Sequence, residues 1–324
     1  MKEEINSILP LKIRQIINRL DKELQEQIQE IRIRERRPLE IICSEKQFFL
    51  TPDGKTSNYP EKAYVPNNED TLKILNIISN HSIYRLEEEL RRGYITVQGG
   101  HRIGITGKAI LEKGEVKTLK DISGFNIRIA KQVIGAADSI IPYILNIKQK
   151  NIYNTLIIST PQSGKTTLLR DTARQISSGI GKYNFTGKKV GIIDERSEIA
   201  GCVAGVPQND VGYRTDILDS CPKAEGMMMM IRSMSPEILV IDEIGRHEDT
   251  EAILEARNAG VQVIATAHGS NLSEIAKRPS ISSLIQQQIF ARYILLSRRK
   301  GVGTIEKIYD AELKPLLIGE KLHA

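Results

Sequence analysis

Apolar and polar positions follow two rhythms along this chain. Over residues 9–20, Leu9, Ile13, Ile16, Ile17 and Leu20 fall mostly at three- and four-residue intervals, which predicts a helix with one buried face. Residues 28–33 (IQEIRI) alternate and residues 39–43 form a short apolar run, so both predict strands. The polar stretch 51–59 (TPDGKTSNY) predicts a turn or hairpin tip. Residues 67–92 predict one or two helices, begun by Asn67 or Asn68 and ended at Gly93. Strands follow over 94–98, 102–111 and 126–130, separated by glycine-bearing turns. Together these elements make an α+β module.

From about Asn154 the rhythm changes. Short apolar strands over 155–158, 189–194, 238–242, 261–266 and 293–297 alternate with helical stretches. Strands apolar throughout must be covered on both faces, so the pattern implies an α/β fold: a parallel sheet flanked by helices. The polar segment LNIKQKNIYN (145–154) reads as a surface connection. The expected organisation is a smaller α+β N-terminal domain over 1–135 and a second domain over 136–324.

Composition narrows the class. The 324 residues are 40% hydrophobic and 27% charged, which excludes a disordered or fibrous chain. Aromatics are 5% and Trp is absent, so aliphatic side chains must build the core. No apolar run approaches the ~20 residues of a membrane-spanning helix. The start MKEEINSILPLKIRQ has no unbroken apolar stretch and does not read as a signal peptide. Cys43, Cys202 and Cys221 are odd in number and form no CxxC pair; neither a disulfide framework nor a zinc site is expected, and a reducing cytosol is. The net charge of +6 permits an anionic partner, but the basic groups (32–37, 91–92 and 298–300) are scattered and read as solvated faces.

The strongest chemical signal is Ser159-Thr160-Pro161-Gln162-Ser163-Gly164-Lys165-Thr166-Thr167, between the apolar strand TLII and the helical stretch LLRDTARQI. Such a loop wraps phosphates with backbone N–H groups, and the helix behind it presents its positive end to the anion. Gly164 allows the tight turn, Lys165 is placed to reach the β- and γ-phosphates, and Thr166 to ligate Mg²⁺. Gly-Lys-[Ser/Thr] alone arises by chance in roughly one chain of this size in six, so the flanking strand and helix carry the specificity. The first position of the pattern is ordinarily Gly. Ser159 stands there instead, and its side chain is expected to narrow the backbone angles.

Two later strands end in Asp-Glu: VGIIDE (190–195) and ILVIDE (238–243). Acids at the C-terminal ends of parallel strands face the ligand crevice of open α/β sheets. Residues 238–243 form the second predicted strand after the loop, the place of the Walker B strand. Asp242 is therefore the expected Mg²⁺ holder, through water, and Glu243 the residue that polarises the attacking water. Asp194 and Glu195 flank the same crevice. The next strand, VQVIATAH, ends at Thr266 and His268, where polar groups can sense a γ-phosphate.

The runs DERSEIAG (194–201), GVPQNDVGYRTDILDSCPKAEGMMMMIRSMSPE (205–237), VIDEIGRHED (240–249) and ATAHG (265–269) resemble the stage III sporulation protein AA family, a branch of the secretion and pilus motor ATPases of the P-loop, AAA+-like kind. The likeness extends through 99–111, 117–131 and 296–306. It implies a P-loop NTPase core with ATP and Mg²⁺ as cofactors, an acidic box at 194–198 with Glu195 and Glu198 as its acids, Walker B at Asp242 and Glu243, and a His box at His268. Catalysis would then rest on Glu243, Lys165, Glu195 and His268. It further implies a hexameric ring whose two domains swing about the nucleotide. The setting would be the mother-cell cytoplasm, where the ring powers membrane-embedded sporulation channel proteins facing the forespore. Arg102 and Arg128 match the N-terminal arginines with which secretion motors reach phosphates. Tyr213 and Ser159 depart from the pattern.

Two features read from the residues stay open. Met227–Met230 and Met234 suit either a plain core helix or a surface that repacks between states. Arg214, Arg232 and Arg246, expected in polar loops near the crevice, are candidates to complete a neighbour's site. Two other functions compete with the motor. A nucleic-acid-dependent ATPase would bring a basic, aromatic-bearing extension; after the last core strand the chain runs only to LIGEKLHA, so nucleic acid is not the expected partner. A nucleotide-binding scaffold with little turnover is the reading that Ser159 suggests.

Overall fold

The computed structural model describes residues 3–43, 46–79 and 86–318, and the chain divides into the units Met1–Lys131 and Gln132–Ala324. In the first unit, Pro10 separates α1 (Glu3–Ile8) from α2 (Leu11–Asn18), because a proline can begin a helix but cannot continue one. The apolar period over 9–20 thus gives α2, while α1 lacks a period long enough to read. Helix α3 (Lys22–Gln27) leads into β1 (Ile28–Arg34), followed by β2 (Glu40–Cys43), β3 (Gln47–Leu50) and β4 (Thr56–Ser57). Asn67 caps α4 (Asn68–Ile78) by accepting from the Asp70 N–H, and Asp70 returns a bond to the Asn67 N–H. Helix α5 (Glu87–Arg92) ends at Gly93 with φ 77°, a left-handed cap that glycine adopts without strain. Of the helical stretch expected over 67–92, positions 80–85 lie outside the described residues.

Strands β5 (Tyr94–Val97), β6 (His101–Glu112) and β7 (Glu115–Arg128) complete an antiparallel sheet whose order among the described residues is β4-β3-β2-β1-β7-β6-β5. Strand β7 is far longer than the stretch 126–130 predicted from alternation. Its outer half pairs with β6 in an exposed ribbon whose polar and apolar positions do not alternate. Ile13, Ile17, Ile31, Ile33, Ile41, Ile103, Phe125 and Ile127 are fully or almost fully buried in the unit's core.

The second unit contains α6 (Ile141–Ile144) and the short pair β8 (Leu145–Asn146) and β9 (Asn151–Ile152). Then come β10 (Thr155–Ser159), α7 (Lys165–Ser178), β11 (Val190–Asp194), β12 (Thr215–Asp219), α8 (Lys223–Met234), β13 (Ile238–Ile241), α9 (His247–Asn258) and β14 (Gln262–His268). Helices α10 (Leu272–Ile275) and α11 (Pro279–Gln286) precede β15 (Arg292–Ser297), β16 (Thr304–Tyr309) and β17 (Pro315–Ile318). The sheet order is β12-β11-β13-β14-β10-β15-β16-β17, parallel from β12 to β15 and antiparallel beyond.

Side chains of a strand alternate between faces. Ile157, Ile192 and Val240 pack on one face with Leu168, Leu169, Ala173 and Ile176 of α7. Leu156, Ile158, Ile193, Leu239 and Ile241 pack on the other with Met227 and Met230 of α8 and Ile253 of α9. Both faces are covered, as the apolar strands require. One expectation is corrected. Strand β12 intervenes in the chain, so β13 is the third strand after the loop, not the second. Thr215–Asp219 is a half-buried edge strand with no apolar run, and its sequence resembles a polar loop.

Candidate active site

Strand β10 delivers Ser159 into the loop and α7 starts at Lys165. Two loop residues take left-handed angles: Gln162 (φ 59°) and Gly164 (φ 87°). Ser159 is not among the positive-φ residues, so its Cβ imposes no backbone strain; its hydroxyl bonds the Thr160 carbonyl at 2.9 Å. The expected narrowing at this position therefore carries no conformational cost here. The Thr160 and Ser163 hydroxyls bond each other at 3.0 Å. Lys165 is buried, and its ammonium arches over the loop to the carbonyls of Ser159 and Thr160, each at 3.4 Å.

The Thr166 hydroxyl donates to Asp242 Oδ2 at 2.7 Å. Thr266, on the intervening strand β14, donates its hydroxyl to Asp242 Oδ1 and accepts the Glu243 N–H at 2.8 Å. Glu243 itself is left-handed (φ 54°), so the chain turns sharply just past β13 and its side chain leaves the strand direction. Its carboxylate pairs with Arg196 at 3.2 Å, both groups well exposed. His268 ends β14 directly beside Ser159 in register, and the Gly269 N–H bonds the Ser159 carbonyl at 3.0 Å. The His268 carbonyl is held by Arg278. Thr166, Asp242, Glu243, Thr266 and His268 thus meet at the C-terminal edge of three adjacent strands.

The acidic run after β11 divides its labour. Asp194 is buried and accepts the N–H groups of Glu198, Ile199 and Ala200. Burial pushes its carboxyl up to about 6, against the pull of those N–H bonds. Arg170 clasps the same loop from α7 through the carbonyls of Ile199 and Glu198. Glu195 bonds Lys223, whose side chain is nearly buried; burial raises the Glu195 carboxyl, but the ammonium outweighs it and holds the acid below its usual range. Asp194, Glu195, Arg196, Glu198, Lys223, Asp242 and Glu243 line one narrow cleft.

Arg170, Arg196 and Lys223 were not singled out from the sequence. The signal for Arg170 is its spacing: four residues after Thr166, it shares that residue's helix face. Of the remaining arginines, Arg246 stands near the acids as expected, while Arg214 and Arg232 lie away from them. Arg214 lies at the C-terminal end of α7, bonding Ser177, roughly 20 Å of helix from the loop. Arg232 lies within α8, not in a loop. Arg246 is the residue before α9, just past the acids. In the N-terminal unit, Arg102 stacks on Tyr94, 3.5 Å from the ring centroid, and Arg128 pairs with Glu30 at 3.5 Å; the two arginines are directly opposed across β6 and β7. Of the methionines, Met227 and Met230 are core while Met229 and Met234 are exposed, so α8 fits both readings in part.

A hydroxyl and a carboxylate 2.7 Å apart are hard oxygen donors that fit Mg²⁺, which takes one or two protein ligands and otherwise water. The neighbouring N-terminus of α7 and Lys165 fit a polyphosphate.

A strand order with β14 between the loop strand and the acid-bearing strand, and with helices on both faces, defines the P-loop ATPase fold seen in secretion and pilus motors. The chain superposes on the ATPase DotB of Legionella pneumophila with a TM-score of 0.54 at 17% identity, covering 83% of this chain and 72% of that one. On the pilus retraction motor PilT with bound ADP the TM-score is 0.54 at 16% identity, covering 88% and 78%. The chain belongs to the family described as sporulation stage III, protein AA, which matches residues 1–315. It is 50% identical over 309 residues to stage III sporulation protein AA of Bacillus subtilis (strain 168), covering 95% of each chain.

Proposed function

We propose that the protein is an ATP-hydrolysing motor subunit that works as a hexameric ring in the mother-cell cytoplasm and drives a membrane-embedded sporulation channel facing the forespore. The observation that carries this reading is the hydrogen-bonded chain Thr166–Asp242–Thr266–Glu243, which ties the phosphate loop, the Walker B strand and the strand between them into one unit. Among the described residues no helix is long and apolar enough to cross a membrane. DotB and PilT support the fold, and family membership supports the sporulation setting.

In this reading the N–H groups of the loop and the start of α7 bind the β- and γ-phosphates. Lys165 exchanges two long bonds to its own loop carbonyls for phosphate oxygens. Thr166 and Asp242 would hold Mg²⁺, which would supply positive charge to neutralise the phosphate oxygens. Glu243 takes a proton from the water whose oxygen attacks the γ-phosphorus, while the bond to the β-phosphate oxygen breaks. Thr266 and His268, flanking that point, report loss of the γ-phosphate to the sheet edge. Glu195 is held by Lys223 and supports the cleft wall.

The test is phosphate release by the full chain with Mg·ATP. Lys165→Ala should abolish it. Glu243→Gln should keep ATP binding and slow turnover by about 10²–10⁴-fold, the scale of losing a general base. Wild-type turnover in Glu243→Gln would remove Glu243 from its role, and turnover that survives Lys165→Ala would overturn the reading.

A further inference from the structure

The turn between β15 and β16, residues 298–303 (RRKGVG), has no part in the reading above, yet it meets the phosphate loop at three points. The Gly303 N–H donates to the Ser163 carbonyl at 3.1 Å. Arg298 Nη1 donates to Gln162 Oε1 at 3.4 Å. A Cβ placed on Gly164 would stand 3.0 Å from Val302 Cγ1 and 3.3 Å from the Gly303 nitrogen, so the two backbones are in near contact.

The turn is itself braced. Thr304 bonds the Gly301 carbonyl at 2.7 Å, and Arg299 spans both oxygens of Glu306 at 3.1 Å. Gly301 and Gly303 take φ values of +120° and +85°, which side chains rarely adopt.

A trans peptide is planar, with its C=O and the following N–H pointing in opposite directions. Anchoring the Ser163 carbonyl on Gly303 therefore turns the Gly164 N–H to the other side, away from the turn. A phosphate loop works only if its N–H groups, not its carbonyls, face the anion. Arg298 acts one residue earlier. It makes a long contact with the side chain of Gln162, the other left-handed position of the loop, and brings a cation beside it.

We infer that this turn is a second nucleotide-positioning element, in which Gly303 sets the Ser163–Gly164 peptide and Arg298 is a positioning residue that holds Gln162 and adds positive charge next to the bound phosphates. The inference rests on reading residues 159–167 as an ATP phosphate loop. The Arg298 bond is long and exposed, so it contributes little to the fold, and affinity can be separated from stability.

The test is calorimetric titration of the full chain with Mg·ADP, alongside steady-state ATP hydrolysis. Arg298→Ala should weaken Mg·ADP binding roughly tenfold and raise KM by a similar factor, with kcat within about twofold. Arg298→Glu should bind more weakly still, Arg298→Lys should recover most of the loss, and the differences should shrink as salt rises. The melting temperature without nucleotide should be unchanged. Wild-type affinity in Arg298→Glu, or an affinity loss matched by a fall in that melting temperature, overturns the inference and leaves the ATP reading intact. Failure of the wild-type chain to bind Mg·ADP overturns both.

Discussion

Thr166 and Asp242 are 76 positions apart in the chain, yet the hydroxyl of one donates to the carboxylate of the other at 2.7 Å. The bond joins the first turn of α7 to the end of β13, two strands away from the loop strand. Asp242 takes a second bond from Thr266, so its two oxygens are oriented by two different elements. Asp242→Asn keeps the shape but halves the acceptor capacity and removes the charge. It should weaken Mg-dependent ATP binding by roughly 10–100-fold, the scale seen when groups orienting a metal's ligands are changed, with ATP binding in EDTA much less affected. Equal losses with and without Mg²⁺ would contradict the assignment.

Arg170 supplies two bonds to carbonyls of the loop after β11 from a largely desolvated position, and that burial lowers its pKa. Arg170→Ala removes both bonds and strips the loop of its tie to α7. Chemical denaturation should show a loss of about 2–4 kcal/mol. Hydrogen exchange at residues 198–200 should accelerate. A loss under about 0.5 kcal/mol would mean the loop is held by Asp194 alone.

Asp194 makes a prediction about pH. Its folded pKa, about 6, lies above the 3.8 of an ordinary aspartate. The native state therefore holds the proton more tightly than the unfolded chain, and the resulting stabilisation is complete below about 4 and lost as pH rises through about 6. In stability profiles from pH 4 to 7, wild type should lose on the order of 2 kcal/mol relative to Asp194→Asn. A constant difference across that window would show that Asp194 titrates normally.

Lys223 is the more buried member of its pair with Glu195, with side-chain exposures of 9% and 27%. Glu195→Ala strands an ammonium in the cleft wall and should cost about 3 kcal/mol; Lys223→Met in the same chain should restore much of it. If hydrolysis returns with stability in the double variant, Glu195 acts through the wall rather than on substrate.

The parallel sheet was readable because strands such as TLII and ILVI, buried on both faces, must be apolar throughout, and the loop because Gly164, Lys165 and Thr166 stand between such a strand and a helix. Strand β12 escaped because an edge strand half open to water needs no apolar run, and β16 because only Ile305 and Ile308 of it are buried. The chemistry of Asp242 and Glu243 is visible as residue types at a strand end. Their partners are not, since Thr166, Thr266 and Arg196 reach them only through the crossovers of the sheet. Arg214 and Arg232 make a related point: polar surroundings in sequence do not say where a side chain stands relative to the strand ends.

Strand β14 lies between the strand that carries the loop and the strand that carries the acids, so the distance between the two halves of the site is two inter-strand spacings, each roughly 4.8 Å. That length is dictated by main-chain hydrogen bonding and is the same whatever side chains the strands carry. Substitutions in the strand interiors cannot retune it without breaking the sheet. In the proposed ATPase, control over turnover would work on the segments that cross the strand ends, among them the phosphate loop, the loop after β11, the sharp turn at Glu243 and the hairpin after β15.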